Sequence, residues 1–208
     1  MTRDRSSTDA TTANYAIEGG RQGKQRLDVL AQICAPYTSA LLDGVGVSQH
    51  ARCLDVGCGG GHASRELARR AAHGSVVGVD LDTKVLELAA ADAVAAGVDN
   101  VKFRRGDATH LDAAAYDVVY ARFLLRHVPQ PSTVVAEMVR ALRPGGVLII
   151  EDNDFSGYVW HPASSALDRY VDIYRETVRR RRGNPDIGPT VPTLLLDAGP
   201  AARRSDGI

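Results

Sequence analysis

The sequence predicts an α/β protein built on a doubly wound, mostly parallel sheet. Three observations carry that expectation. Between residues 53 and 150, short apolar runs alternate with helical stretches in the order β-α-β-α-β-β-α-β. Such alternation requires crossover connections and a parallel sheet. The runs are continuously apolar, as in strands covered by helices on both faces. The first run ends in a turn, residues 57–61, that is almost all glycine and leads straight into a helix. In open α/β sheets a ligand sits at such strand ends.

Each element has its own signal. Residues 20–42 read as a helix, because Leu27, Leu30, Ile33, Cys34, Tyr37 and Leu41 recur at spacings of three and four. Gly44 and Gly46 are expected to end it. Residues 53–56 form the first strand and 62–72 the helix after the glycine turn. A β-branched run at 75–79 is the second strand and closes on Asp80. The Ala-rich stretch 84–96 is a helix stopped by Gly97, and 101–105 is a strand stopped by Gly106. Residues 116–120 (YDVVY) form the fourth strand and 133–142 a helix ended by Pro144-Gly145-Gly146. The fifth strand, 147–150, is of the fully buried kind. A last helix spans 164–182, with Leu167, Tyr170, Val171, Tyr174 and Val178 as its apolar stripe. The arginines at 179–182 suit the negative end of its dipole as a solvated terminus.

Composition narrows the function. Of 208 residues 44% are apolar and 24% charged, enough to bury a core. Lys+Arg and Asp+Glu both number 25, which argues against a nucleic-acid binder acting through bulk positive charge. Cys34, Cys53 and Cys58 match neither a disulfide framework nor a zinc pattern, so no metal site and a cytoplasmic setting are expected. No apolar run is long enough to span a membrane. The first fourteen residues lack the apolar segment of a signal peptide.

The chemistry concentrates at Leu54-Asp55-Val56-Gly57-Cys58-Gly59-Gly60-Gly61-His62. Glycines let the backbone turn sharply and let a ligand approach the main chain, and the following helix start favours polar or anionic atoms. The dinucleotide pattern G-x-G-x-x-G fails here in both registers, because His62 and Ser64 stand where the third glycine belongs. A nicotinamide oxidoreductase is therefore disfavoured. What stands is D-x-G-x-G-x-G from Asp55 to Gly61.

That pattern resembles the glycine-rich motif of class I S-adenosylmethionine-dependent methyltransferases. Four further stretches support the resemblance in order: Val76-Val77-Gly78-Val79-Asp80, Arg105-Gly106-Asp107-Ala108, Tyr116-Asp117-Val118-Val119-Tyr120 with the turn to His127, and Leu142-Arg143-Pro144-Gly145-Gly146-Val147-Leu148. Residues 15–27 (Y-x-I-x-G-G-x-x-x-x-x-R-L) look like the segment that folds over the cofactor in small-molecule relatives near the ubiquinone and menaquinone C-methylating group. The resemblance implies a Rossmann-like fold, S-adenosyl-L-methionine as cofactor and methyl transfer to a small organic acceptor. It implies cofactor contacts from Tyr15, Arg26, Asp55, Gly57, Cys58, Gly59, Gly61, Asp80, Leu81, Gly106, Asp107, Ala108 and Arg122. Asp80 would take the ribose hydroxyls, while Asp82 is better placed to cap the next helix. His127, at the rim after strand four, is the candidate general base or else a loop histidine bonded to backbone; Asp152 and Asp154 come next. Phe155, Tyr158, Trp160 and His161 line the acceptor pocket or pack the last helix.

The implied organisation is an arm at 1–13, a lid segment at 14–46, a cofactor-binding core at 47–155, a substrate-side helical segment at 156–199 and an irregular tail at 200–208. The tail carries no strand pattern, whereas the resemblance implies a C-terminal β-hairpin. The sheet is thus expected to lack that hairpin and to leave strand 147–150 as an apolar edge open to self-association. An alternative follows: a truncated methyltransferase-like protein that binds a nucleoside cofactor or a partner with little catalysis.

Overall fold

The computed structural model describes residues 20–199. Five strands, β1 (Arg52–Val56), β2 (Ser75–Asp80), β3 (Val101–Arg105), β4 (Tyr116–Arg122) and β5 (Leu142–Glu151), form one sheet in the order β3-β2-β1-β4-β5. Every pairing is parallel. The helices are α1 (Gly20–Val45), α2 (His62–Arg70), α3 (Thr83–Ala95), α4 (Pro131–Ala141), α5 (Ser165–Arg180) and α6 (Val191–Ala198). The doubly wound expectation therefore holds.

The sheet pleat sorts its side chains into two cores, because successive residues point to opposite faces. Leu54, Val56, Val119 and Ala121 join Val134, Val135 and Met138 of α4 on one side. Cys53, Val76, Val118 and Tyr120 join Leu42 of α1 and Leu67 of α2 on the other. β1 is central, and its last four residues are all buried.

Three boundaries differ from the sequence expectation. Helix α1 runs through Pro36 and Gly44 to Val45. Gly46, at φ +70°, closes it by donating its N–H to the Leu42 carbonyl at 3.1 Å. Helix α4 begins at Pro131, where proline is favoured because the first helical N–H has no intrahelical partner. Strand β5 begins at Leu142, which pairs with Tyr116; a register shift between Tyr116 and Val118 then accommodates Pro144-Gly145-Gly146 before Val147 pairs with Val118.

The two sheet edges contrast. β3 carries Lys102, Arg104 and Arg105, charges that discourage pairing with another strand. β5 presents Val147-Leu148-Ile149-Ile150, and no strand follows it among the described residues. No helix of the described residues is long and apolar enough to cross a membrane.

Candidate functional site

The strand order reverses direction at β1, whose neighbours are β2 and β4. The loops leaving β1 and β4 therefore diverge and open a crevice between them, the usual ligand position in such sheets. A cleft lies there. Its walls are the glycine loop with Asp55, the 122–127 turn after β4, and Arg26, Leu27 and Leu30 of α1.

The glycine loop is tied back to the end of β2. Gly57 and Cys58 donate to the Val79 carbonyl at 2.8 and 3.0 Å, and Gly59 N–H donates to Asp80 Oδ2 at 2.9 Å. Gly61 has φ +70°, and a Cβ there would lie 2.7 Å from Phe103 Cζ. Only glycine satisfies both demands. Gly59 has φ +48°, and Leu27 Cδ1 would sit 3.1 Å from its Cβ. Helix α1 thus packs directly on the loop. His62 Nε2 and Asp28 Oδ1, 3.1 Å apart, add a polar bridge between α1 and α2.

Asp55 is 1% exposed. Its Oδ2 accepts from the Ser64 hydroxyl at 2.5 Å, and burial pushes its carboxyl up to about 6. Asp80 is also buried, and its Oδ1 accepts from the Asp82 N–H at 3.0 Å. Burial raises its pKa, against the pull of these backbone donors. Asp82 caps α3, accepting from Lys84 and Val85 N–H. The two aspartates thus divide the roles of loop anchor and helix cap.

On the opposite wall, Arg126 is 5% exposed. Its guanidinium carbon lies 4.5 Å from the centre of the Phe123 ring. Asp152, whose side chain is fully buried, faces it at 3.7 Å and also accepts from the Arg126 N–H at 3.3 Å. Asp152 therefore stands behind Arg126 and is not part of the cleft wall. His127 does line the cleft, and its Nε2 accepts from Arg126 Nε at 3.1 Å. Burial, then the charges of Arg126, Arg26 and Arg181, push its pKa down to about 3. It is a neutral imidazole across the physiological range.

The structure brings Arg26, Asp55, Gly57, Cys58, Gly59, Arg122 and His127 to one cleft. Asp80 joins them through Gly59, and Gly61 seats the start of α2. Gly106 donates its N–H to the Asp80 carbonyl at 3.0 Å, which keeps 106–108 beside β2. The exposed Asp107 closes a turn on Thr109, whose backbone and hydroxyl donors hold its carboxyl below the usual range. Leu81 is 48% exposed, and Ala108 packs on the core. Tyr15 lies outside the described residues. Asp154 caps its own turn through Ser156. Phe155 stacks on Tyr174 of α5 at 4.3 Å, and Tyr158 meets it edge-on.

Sequence reasoning missed a polar network behind Arg122. Glu151 accepts from Tyr120 OH at 2.5 Å and from the Thr38 hydroxyl at 3.0 Å; Arg122 Nη1 donates to that hydroxyl at 3.1 Å. Helix α1 is thereby fastened to the carboxyl ends of β4 and β5. It also missed Phe123, which adopts φ +57° and donates its N–H to the Glu151 carbonyl at 2.7 Å. No sequence signal marks a phenylalanine for the left-handed region.

A glycine loop after β1, an acidic end to β2 and a cleft at the reversal of strand order define a Rossmann-like nucleoside-cofactor fold of the class I methyltransferase type. Residues 54–150 match the model of the methyltransferase domain family. The chain is 38% identical over 114 residues to a ubiquinone biosynthesis O-methyltransferase from Paracidovorax citrulli, covering 53% of this chain and 47% of that one. It is 36% identical over 150 residues to the methyltransferase GfsG of Streptomyces halstedii, 71% of this chain and 54% of that one. Its fold matches that of phosphoethanolamine N-methyltransferase 2 from Haemonchus contortus, solved with S-adenosyl-L-methionine, at a TM-score of 0.61 and 23% identity. That match covers 79% of this chain and 36% of the solved one. The chain spans about half the length of the curated relatives it matches.

Proposed function

We propose that the chain binds S-adenosyl-L-methionine in the cleft between β1 and β4 and transfers its methyl group to a small organic acceptor. The observation that carries this reading is the convergence of the glycine loop and Arg26 on one cleft, with Asp80 bonded to Gly59 of that loop. Arg26 fits the cofactor's carboxylate: its Nε is buried without a hydrogen-bond partner, a cost that an anionic ligand removes. Asp80 keeps lone pairs beyond its two backbone bonds for ribose hydroxyls. The backbone of 57–61 and of Arg122 borders the methionine part, and 106–108 borders the adenine.

When bound, the cofactor supplies an electrophilic methyl group on a sulfonium. The protein's work is then alignment and exclusion of water. The 122–127 turn holds the acceptor against the glycine loop, and His127 takes the acceptor's proton at Nε2 when that nitrogen exchanges its bond with Arg126 for one with the acceptor. Burial, the main cause of its low pKa, makes it a weak base, and bound anions offset only the smaller contribution of the guanidinium charges. Asp152 positions Arg126 and does not meet the acceptor. The oxygen-methylating relatives favour a hydroxyl as the methylated group.

Calorimetric titration of the purified chain with S-adenosylhomocysteine and with NAD tests this reading. Binding of S-adenosylhomocysteine alone is expected. Binding of NAD alone, or of neither, refutes it.

A further inference from the structure

The cleft wall carries three guanidinium groups, Arg26, Arg122 and Arg126, and one carboxyl, Asp55. The charges do not cancel in place. Arg126 is matched by Asp152 behind it. Arg26 has a role in the reading above, as partner of the cofactor's carboxylate. Asp55 is bonded to Ser64. Arg122 is left. Its Nη1 donates to the neutral Thr38 hydroxyl, and it forms no ion pair among the described residues. Glu151 is reached only through that hydroxyl and spends its oxygens on Thr38 and Tyr120.

The surroundings fix this guanidinium rather than leave it mobile. Thr38 holds one nitrogen, and the Phe123 ring centre lies 5.8 Å from the guanidinium carbon. A guanidinium presents five donors in a planar fork that matches a carboxylate in a bidentate manner. Phe123 also lines the cleft and offers a flat apolar surface beside that fork. The cofactor brings two cationic centres and one carboxylate, so it cannot neutralise a second arginine.

Resting on the cofactor assignment above, we propose that the Arg122 side chain binds a carboxylate on the methyl acceptor. The substrate is then a small aromatic acid, with its ring against Phe123 and its hydroxyl toward His127. Arg122 on this reading determines specificity through its side chain, whereas its backbone borders the cofactor.

A matched pair of probes tests the proposal: 3,4-dihydroxybenzoate and its neutral amide, titrated into protein saturated with S-adenosylhomocysteine. A charge-assisted bidentate contact gives the acid an advantage of about tenfold or more. Arg122→Gln is expected to abolish that advantage and Arg122→Lys to keep part of it, each measured with the cofactor product held at saturation for that variant. Equal binding of acid and amide by the wild type overturns the proposal, as does binding of neither. Arg122→Gln losing cofactor affinity while keeping the acid preference also overturns it, and places the cofactor carboxylate on Arg122. Failure of S-adenosylhomocysteine to bind the wild type is a different result, which removes the cofactor assignment itself.

Discussion

Asp80 and Asp82 stand two residues apart, and replacing each by alanine separates their roles. In Asp80→Ala, two backbone donors lose their acceptor: Gly59 N–H at 2.9 Å and Asp82 N–H at 3.0 Å. An orphaned buried donor costs ~1–3 kcal/mol. Two give ~2–6, and relief of a buried carboxylate moves the sum toward the lower end, ~2–3 kcal/mol. The same change removes one of three bonds that tie the glycine loop to β2 and, on the proposed function, the acceptor for the ribose hydroxyls. Asp82→Ala removes only the cap of α3, worth ~1 kcal/mol. Urea denaturation of both variants, with and without S-adenosylhomocysteine, reads both effects. Asp80→Ala should be less stable than Asp82→Ala by at least ~1 kcal/mol and should lose most of the stabilisation that the ligand confers on the wild type. Asp82→Ala should keep that stabilisation. Equal ligand effects in the two variants, or the reverse order, refute the assignment of Asp80 as loop anchor and ribose ligand.

Further outcomes are expected. Gly61→Ala forces a methyl to within 2.7 Å of Phe103 at φ +70° and should cost ~2 kcal/mol or more in denaturant. Asp55 titrates near 6 in the folded chain because of burial, against ~3.9 when unfolded. Between those values the folded state holds a proton that the unfolded state has released, so the group stabilises at acid pH and this contribution is lost as pH rises to 6. Asp55→Asn should therefore gain melting temperature relative to the wild type as pH increases from 4 to 7, and a pH-independent difference refutes the buried, ionising carboxyl. β5 is an edge strand among the described residues, and its apolar run is expected to make the chain associate with increasing concentration. Val147→Lys, at a residue 40% exposed, should shift sedimentation profiles toward the monomer, and identical profiles refute the edge as contact.

The sequence by itself determined the order of elements and the principal loop. Period and punctuation are local: three-and-four spacing along α1, a β-branched run at β2, short apolar runs at β1 and β4, and glycines at 57–61 that let the chain turn sharply from strand into helix. Asp82 as cap was also legible, since the N–H donors it accepts from lie two and three residues on. Tertiary structure decided what lay between distant residues. Asp152 looked like a candidate base from its place after β5, but its partner Arg126 is 26 residues away and fixed only by β4 pairing with β5. The same pairing brings Glu151 to Tyr120, and the packing of α1 adds Thr38 and Arg122. The left-handed Phe123 and the depressed His127 arise from burial and from charges contributed by separate elements. Local sequence carries local preferences; burial and long-range electrostatics exist only once the chain has closed on itself.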